Sequence, residues 1–516
     1  MPDLMKPFLC SPGLLQTLLV SFLSACASTN FNVEQEPGFS IPATAETMLG
    51  KISLEWRQSH PDSESFFFPL AHGSDAFGAR LRLIDAAEES IDLQYFLMKD
   101  DIVGAMMSAK LLEAADRGVR VRFLLDDIFT TIKDVDLFIL DEHENIEVRL
   151  FNPIARRGIR HLNYLWNFSR TNRRMHNKSF TVDGSFTIVG GRNLAAEYFS
   201  LNDDTEFFDL DVLALGPVVD EVAASFDSFW NFSKALNIQH LSGKPSRDKM
   251  AQARQNVDSV MSSTGAAIYQ DAINSKILVQ LINGETEEIV AKAELMAENP
   301  IKLKLSVNAD SERLVNDLGE FMLNARHEVL IISPYFIPTS NGMDFIQSIR
   351  DKGVRFKLVT NSLASTNQVA VHGAYERYRE GLLAMGVEIY ETRPDAFQAM
   401  AQKSGAQLRT TMHTKLLIID QRYVFIGSLN MDPRSIVINT EMGIMIDSPN
   451  LAEVLLADKR DTFYEVVYRL ALNEDGKLRW HAREDGKAVE FTREPQTSWW
   501  RRFSASIFKI LPEGQL

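Results

Sequence analysis

The side chains best suited to catalysis occur in a motif that the sequence contains twice. Each copy has a histidine, a lysine two positions later and an aspartate five positions after that, followed by a small-residue turn that carries an asparagine. The two histidines are 237 positions apart, and the other pairs keep that separation. The copies comprise His176, Lys178, Asp183, Gly190, Gly191 and Asn193, and His413, Lys415, Asp420, Gly427, Ser428 and Asn430. A single copy is usually surface decoration, whereas two matched copies indicate a function.

The residue types in this motif suit the chemistry of a phosphodiester. A histidine acts as nucleophile or as general acid/base near neutral pH, and an adjacent lysine lowers the histidine pKa and favours the neutral form. Asparagine in a glycine-rich turn can donate hydrogen bonds to an oxyanion. With two copies, one histidine attacks phosphorus, the other protonates the leaving alkoxide, and the lysines, asparagines and turns bind phosphoryl oxygens. We expect no metal or other cofactor, since two lysines repel a cation and His-x-Lys is not a ligand spacing.

The elements that carry the motif are also repeated. Alternating apolar residues predict strands at 90–96, 119–125 and 146–151 in the first half, and at 329–336, 353–359 and 387–390 in the second. Helical patterns lie between them, at 74–88 and 103–117 for example. Strands alternating with helices indicate a layered α/β sheet, so the chain is predicted to hold two similar α/β halves.

Length and charge limit the remaining classes of function. The chain has 516 residues, which suits two domains, and its net charge is −15. This acidic balance argues against a protein that coats nucleic acid, because phosphate binding along nucleic acid depends on clustered lysine and arginine. Only Cys10 and Cys26 are present, so the body of the protein holds no disulfide framework.

The N-terminus predicts that the protein is exported from the cytoplasm. Lys6 precedes a short apolar stretch at 14–23 that is too short to span a bilayer, and Leu23-Ser24-Ala25-Cys26 resembles the lipobox of bacterial lipoproteins. In such proteins the cysteine is acylated and becomes the first residue, so Cys26 is the predicted lipid anchor. The protein would then face the periplasm, on the outer membrane because no aspartate follows Cys26. An ordinary signal peptide is the alternative.

The C-terminus combines aromatic and basic residues. Residues 498–511 contain two tryptophans, two phenylalanines, two arginines and a lysine. This composition suits an amphipathic helix at a membrane surface, and equally a terminal helix packed on the body.

Motif and spacing together resemble the phospholipase D superfamily. This resemblance implies two pseudo-twofold-related α/β domains, each a mixed sheet flanked by helices, with one shared active site. It implies a phosphohistidine at His176 and an acid/base role for His413, although pseudo-symmetry also permits the reverse. Family motifs carry an acidic residue that orients a histidine, here Glu441 and the less secure Asp209. Asp183 and Asp420 are expected to hold the turns rather than to touch substrate.

Within the superfamily, the sequence is most similar to bacterial cardiolipin synthases of the C-type branch. The similarity runs from Leu93-Gln94-Tyr95 through the first motif and Ser333-Pro334-Tyr335-Phe336 to Ser498-Trp499-Trp500. It implies phosphatidyl transfer to phosphatidylglycerol, with phosphatidylglycerol or phosphatidylethanolamine as donor, at a phospholipid membrane. The residues leave open whether an accessory protein takes part. Hydrolysis to phosphatidic acid is the alternative; a nuclease or an inactive scaffold fits the signal sequence, the tail and the paired motifs less well.

These expectations divide the chain as follows: 1–26 lipoprotein-type signal peptide, 27–70 tether, 71–235 first phospholipase D-like domain, 236–319 mostly helical connector, 320–450 second phospholipase D-like domain, and 451–516 C-terminal extension with the amphipathic tail.

Overall fold

A computed structural model of the protein describes most of the chain. The described residues are 29–60, 64–156, 164, 167–202, 204–241, 243–305, 313–396, 409–457, 463–484 and 486–509. The predicted signal peptide and Cys26 lie outside these residues. In the part that is described, no helix combines the length and the apolar character needed to cross a bilayer.

Strands and helices alternate through both halves, as the sequence patterns predict. The strands are β1 (Ser65–Leu70), β2 (Ser90–Tyr95), β3 (Arg120–Asp126), β4 (Ile146–Phe151), β5 (Ser179–Val182), β6 (Phe186–Gly190), β7 (Thr205–Phe208), β8 (Asp211–Leu215), β9 (Ala235–Asn237), β10 (Ile289–Ala297), β11 (Glu328–Ile332), β12 (Arg355–Asn361), β13 (Glu388–Thr392), β14 (Arg409–Met412), β15 (Leu416–Ile419), β16 (Tyr423–Gly427), β17 (Met442–Asp447), β18 (Val467–Leu472), β19 (Leu478–Glu484) and β20 (Lys487–Phe491). The helices are α1 (Met48–Ser59), α2 (Gly73–Ala86), α3 (Ile102–Asp116), α4 (Asp134–Asp141), α5 (Phe168–Thr171), α6 (Val218–Trp230), α7 (Arg247–Met261), α8 (Thr264–Ile273), α9 (Lys276–Ile282), α10 (Leu314–Leu323), α11 (Thr339–Asp351), α12 (Val369–Tyr375), α13 (Arg379–Ala384), α14 (Pro449–Ala457), α15 (Phe463–Val466) and α16 (Trp499–Phe508).

The two halves have the same strand order. In the first half β4, β3 and β2 run parallel, and β5, β6 and β8 continue the sheet in antiparallel pairs. In the second half β13, β12 and β11 run parallel, and β15, β16 and β17 continue it in the same way. The prediction of two similar α/β halves is therefore confirmed.

A pair of strands outside the predicted repeat joins the two sheets. Strand β1 pairs with β8 of the first half, β10 pairs with β17 of the second, and β1 and β10 pair with each other. We call this arrangement the central seam. An apolar cluster beside it contains Val189 and Val212 from one half and Ile426 and Ile444 from the other. Burial of such side chains contributes about 1.5–3 kcal/mol each, which favours a fixed arrangement of the halves.

The central seam corrects one expectation about the connector. The charged, alanine-rich stretch at 285–298 reads as helix-prone, but Ile289–Ala297 form strand β10. Helix propensity amounts to tenths of a kcal/mol per residue, and two flanking strands with free edges outweigh it. The helical part of the connector is α7, α8 and α9, which end before this strand.

Candidate active site

Both copies of the motif lie at equivalent edges of the two sheets. Strand β5 begins just after Lys178 and β15 just after Lys415, so each histidine and lysine immediately precedes its strand. Ser179 lies opposite Gln94 near the end of β2, and Leu416 lies opposite Ile332 at the end of β11. Each histidine therefore projects beyond the carboxyl end of a parallel strand, and we call this side of both sheets the active-site edge.

Backbone pairing between the halves brings each histidine to an acidic residue of the other half. Strand β7 runs parallel to β14 with Phe208 opposite Met412, so the next residues, Asp209 and His413, are neighbours. A matching parallel bridge joins Met175 to Thr440, and the residues that follow are His176 and Glu441. The backbone N–H of His176 donates to the Thr440 carbonyl at 2.9 Å, and that of His413 donates to Phe208 at 2.6 Å. Each catalytic histidine is thus held by a carboxylate from the other half of the chain.

His176 is held from one side by Glu441 and from the other by an aromatic ring. Its Nδ1 lies 2.7 Å from Oε2 of Glu441, and the Phe96 ring meets it edge to face at 4.7 Å between centroids. Burial, followed by the charges of Lys178 and Lys415, holds the pKa of His176 well below its usual value. The ring is consequently neutral near pH 7, with Nδ1–H directed at the carboxylate and Nε2 left as a nucleophile.

His413 has an equivalent environment. Its Nδ1 lies 2.6 Å from Oδ2 of Asp209, and the rings of Tyr198 and Phe207 pack against it. Burial and then Lys415 lower the pKa of His413 to about 3. Burial alone would raise the pKa of Asp209, but the adjacent, hydrogen-bonded His413 ring and the charge of Lys415 lower it overall, so this carboxylate stays ionised. A negatively charged phosphate beside Lys415 would raise the histidine pKa again and let His413 carry a proton.

The two motif lysines are buried cations close to these rings. The Nζ of Lys415 lies 2.9 Å from Nδ1 and 3.1 Å from Nε2 of His413, and Lys178 donates to the carbonyl of His176. Burial lowers the pKa of Lys178 to about 7 and that of Lys415 to about 8. Among the described residues, no carboxylate lies within ion-pair distance of either ammonium. A buried cation without a counter-ion favours binding of an anion.

These lysine pKa values predict a loss of activity in mild alkali. Because both values lie below the usual range, the ammonium forms are present at lower pH and disappear as pH rises through about 7 to 8. We expect kcat/KM for an anionic phospholipid to fall about tenfold per pH unit between pH ~7 and ~8, and about a hundredfold per unit above pH ~8, where both ammonium groups lose their protons. A pH profile from 6 to 10 measures this, and Lys415→Arg, which stays charged, should leave only the tenfold slope that Lys178 causes. A wild-type profile that is level to pH 9.5 would contradict the assignment.

Asp183 and Asp420 hold the turns after β5 and β15, as the sequence predicts. Asp183 accepts the backbone N–H groups of Glu88, Glu89 and Ser90 at 2.8–3.1 Å. Asp420 accepts those of residues 326–328 at 2.7–2.9 Å. Both have positive φ, 48° and 53°, which aspartate tolerates better than most residues. Asp183 therefore ties the end of β5 to the start of β2, and Asp420 ties the end of β15 to the start of β11. Both contacts lie at the end of the strand that is remote from the histidine.

Removing Asp183 should destabilise the protein without altering the chemistry. Asp183 is 1% exposed, and Asp183→Ala would leave three N–H groups without their acceptor. We expect a loss of about 3 kcal/mol in unfolding free energy, seen as a lower Tm, with turnover per folded molecule retained. Asp420→Ala is the matched control: its carboxylate is more exposed, so its effect should be smaller. Equal or absent Tm shifts would argue against this role.

The turn residues also take part in the sheets. Phosphate contacts are predicted for Gly190, Gly191, Gly427 and Ser428, and the structure shows that two of them use their backbone N–H groups within the fold. Gly191 donates to the Leu210 carbonyl and Ser428 donates to that of Met442. A Cβ at Gly191 would lie 2.2 Å from Oδ1 of Asp209. The glycine therefore makes room for the carboxylate that holds His413, so the turn helps to position the site, and phosphate binding by the turn stays a prediction.

The two asparagines border the site with their amides engaged inside the protein. Nδ2 of Asn193 donates to the Tyr198 hydroxyl at 3.1 Å, and Oδ1 accepts from the Leu97 N–H at 3.3 Å. Nδ2 of Asn430 lies 3.3 Å from the Ser435 hydroxyl, and its buried Oδ1 has no partner among the described residues. Rotation of the Asn430 amide would exchange these two atoms and direct Nδ2 to the unpaired position. Asn430 is thus the asparagine with a free position for a substrate oxygen.

Three residues support Glu441: Ser428, which belongs to the motif, and Glu298 and Lys302, which could not be identified from it. The Ser428 hydroxyl donates to Glu441 at 2.5 Å, and Glu298 accepts the Glu441 N–H at 3.1 Å while pairing with Lys302. Burial raises the pKa of Glu441 to about 7. These contacts fix the Glu441 carboxylate, which in turn fixes His176. Glu298 directly follows strand β10, and no local pattern in the sequence connects it with a motif 122 positions upstream.

Comparisons with known proteins agree with this architecture. The family model described as "Cardiolipin synthase, PLD-like domain" matches residues 81–230 and 318–459. Cardiolipin synthase C of Escherichia coli (strain K12) is 40% identical over 474 residues, covering 90% of this chain and 98% of that protein. Cardiolipin synthase B of the same strain is 24% identical and covers 84% of each chain. The crystal structure of phosphatidylserine synthase from Haemophilus influenzae Rd KW20 superimposes with a TM-score of 0.53 at 14% identity, covering 81% of this chain and 91% of that one. That structural likeness confirms the two-domain α/β fold class.

Proposed function

The chain belongs to the cardiolipin synthase family of phospholipase D-like enzymes, and from this we propose that it makes cardiolipin by transphosphatidylation. In this reaction a phosphatidyl group passes from a donor phospholipid to the protein and then to phosphatidylglycerol. The family matches over both halves and the 40% identity to a cardiolipin synthase along 90% of the chain support the reaction type.

One observation in the site carries the proposal. Two buried ammonium groups, without carboxylate partners in the described part of the chain, lie beside two histidines whose Nδ1 atoms are fixed by carboxylates. Such a site attracts one phosphodiester anion, presents the neutral Nε2 of His176, and lets His413 carry a proton once the anion is bound. A site for a metal-activated water would need carboxylate and histidine ligands facing a shared centre, whereas here both carboxylates face histidine Nδ1 atoms.

The proposed first step forms a covalent intermediate. Nε2 of His176 attacks the phosphorus of the donor lipid, the bond from phosphorus to the headgroup oxygen breaks, and His413 gives its proton to the departing oxygen. Lys178 and Lys415 stabilise the charge on the phosphoryl oxygens. Glu441 stabilises the positive ring that forms at His176. Pseudo-symmetry permits the same sequence with the histidines exchanged.

The second step transfers the group to its acceptor. His413, now neutral, removes the proton from a glycerol hydroxyl of phosphatidylglycerol, and that oxygen attacks the phosphohistidine. The nitrogen–phosphorus bond breaks, and cardiolipin is released. The displaced headgroup in the first step is glycerol from a phosphatidylglycerol donor or ethanolamine from a phosphatidylethanolamine donor.

Product analysis with labelled lipid tests the proposal. Purified protein is incubated with radiolabelled phosphatidylglycerol, with and without phosphatidylethanolamine, and the lipids are separated by chromatography. We expect labelled cardiolipin. If the amount of labelled cardiolipin increases when phosphatidylethanolamine is added, phosphatidylethanolamine is the donor. Phosphatidic acid as the sole product would establish hydrolysis and overturn the transferase. His176→Ala protein is the control for contaminating activity.

We also propose that the protein is a lipoprotein facing the periplasm, anchored through Cys26, on the outer membrane. The lipobox-like Leu23-Ser24-Ala25-Cys26 supports this, as does the absence of aspartate directly after the cysteine. Mass spectrometry should find Cys26 acylated at the mature N-terminus. An unmodified Cys26, or recovery of the protein in the inner membrane, would refute the respective part of the proposal.

A further inference from the structure

The last helix of the described chain has an exposed aromatic face. Trp499, Trp500, Phe503 and Ile507 of α16 are 58%, 67%, 46% and 50% exposed. Trp499 and Phe503 stack at 5.2 Å between ring centroids, and Trp500 meets both rings edge to face. Large apolar side chains that are grouped and rigid on a surface mark an interaction site. We call these four side chains the aromatic face.

The opposite side of α16 is firmly attached to the second half. Ala505 is fully buried against α12, where a Cβ at Gly373 would come within 2.5 Å of the Ala505 carbonyl. The guanidinium of Arg501 donates to the Leu363 carbonyl at 2.6 Å and also to that of Thr366. Because these contacts use the inner side of the helix, the aromatic face is fixed in an outward orientation.

The loop that α16 contacts is hydrogen-bonded to the strand that precedes His413. Residues 363–366 follow β12 at the active-site edge. From the other side, Arg409 donates to Thr366 at 3.1 Å and Thr411 donates to Ser365 at 2.6 Å. Both donors belong to strand β14, which ends one residue before His413. One loop therefore links the aromatic helix to the strand that positions His413.

The charge of this region differs in sign from the charge of the whole protein. Residues 495–509 contain no aspartate or glutamate, and they contain Arg501, Arg502 and Lys509, whereas the net charge of the chain is −15. Lys509 pairs with Glu376 at 2.5 Å, whereas neither Arg501 nor Arg502 has a carboxylate partner among the described residues. A helix that carries these arginines beside exposed tryptophan and phenylalanine matches the interface of a bilayer that contains anionic lipids.

We propose that the aromatic face docks on an anionic phospholipid bilayer and thereby holds the active-site edge at the lipid surface. The inference rests on the proposed function in one respect, namely that the substrate is a bilayer lipid. The helix inserts its aromatic rings among the lipid headgroups. The 363–366 loop, which contacts both α16 and β14, then keeps His413 at a fixed distance from the headgroups. Docking then shortens the path by which a lipid phosphodiester reaches the histidines.

Fluorescence quenching tests docking independently of catalysis. Trp499 and Trp500 are the most exposed tryptophans in the described ranges, so vesicles of phosphatidylglycerol and phosphatidylethanolamine with brominated acyl chains should quench the full-length protein. We expect this quenching to disappear in a Trp499→Phe/Trp500→Phe variant and to be weak with brominated phosphatidylcholine. Equal quenching of the variant and the wild type would overturn the proposal.

Activity on two physical forms of substrate tests the consequence for catalysis. A Trp499→Ser/Trp500→Ser/Phe503→Ser variant should lose at least about tenfold in turnover of vesicles. It should keep turnover of monomeric short-chain phosphatidylglycerol within about twofold, which shows that it is folded. Phe39→Ser, at a 63% exposed phenylalanine distant in sequence, is the matched control and should behave as wild type.

Two outcomes would reject the docking surface. Unchanged turnover of vesicles by the triple variant would show that the aromatic face is not needed at the bilayer. Light scattering that finds a wild-type dimer and a monomeric triple variant would assign the face to a second copy of the chain. Failure of all variants and the wild type on both substrates would refute the proposed function, while the quenching result would still stand.

Discussion

His176→Ala and His413→Ala should each reduce phosphatidyl transfer by at least about 10⁴-fold while the protein stays folded. Each histidine is required in both steps, as nucleophile and leaving group or as acid and then base, and no neighbouring group can replace it. Both side chains are buried and hydrogen-bonded to buried carboxylates, so each variant should show a lower Tm, and turnover is compared per folded molecule. The measurement is formation of labelled cardiolipin, with the His481→Ala variant as control because His481 lies on the exposed hairpin formed by β19 and β20. Near-wild-type turnover in either variant would refute the mechanism.

The same variants identify the nucleophile. If His176 carries the phosphatidyl group, the His413→Ala variant can accumulate an acid-labile adduct on His176, since both formation and discharge of the adduct are slowed but the histidine nucleophile remains. Mass spectrometry of peptides kept at alkaline pH locates the adduct. An adduct on His413 in the His176→Ala variant would exchange the two roles without changing the site.

Asp209→Asn and Glu441→Gln should each lower turnover by roughly 10²–10⁴-fold, the range for removing a carboxylate that orients a catalytic histidine. Each amide keeps the shape of the side chain but can present N–H to the ring, which favours the wrong tautomer. Because the pairs cross between the halves, Glu441→Gln should disturb His176 and Asp209→Asn should disturb His413. Ring ¹⁵N chemical shifts of histidine-labelled protein, assigned with the alanine variants, measure the tautomers.

A specific pattern in those spectra would contradict the crossed arrangement. If Glu441→Gln shifted the ring signals of His413 and left those of His176 unchanged, each carboxylate would serve its own half. Loss of activity without any change in either ring would show that the carboxylates act on substrate and not through the histidines.

The sequence predicted the halves and the site residues because the motif and its strands repeat locally. Constant spacing identified both histidines and lysines, and the position of Asp183 and Asp420 at strand ends identified them as turn residues. What the sequence did not reveal depends on pairing between distant strands. The partner of each carboxylate follows from the register of Phe208 with Met412 and of Met175 with Thr440.

Local sequence patterns could not predict two further features of the structure. Strand β10 has the composition of a helix, and only its pairing with β1 and β17 makes it a strand. The steric reason for a glycine at position 191 is the Asp209 carboxylate, which follows strand β7 and is not visible in the local sequence of the turn. In both cases a non-local contact outweighs the residue's own preference.

Because each histidine depends on a carboxylate from the other half, these contacts also determine when during synthesis the enzyme can become active. A chain that emerges N-terminus first places His176 long before residue 441 arrives, and His413 arrives only after most of the chain is made. No fragment that ends before Glu441 holds either an oriented pair of histidines or a closed central seam. An enzyme that acts on the phosphodiester bonds of membrane lipids is thus inactive during its own synthesis, and it acquires activity only once Glu441 has been made and has paired with His176.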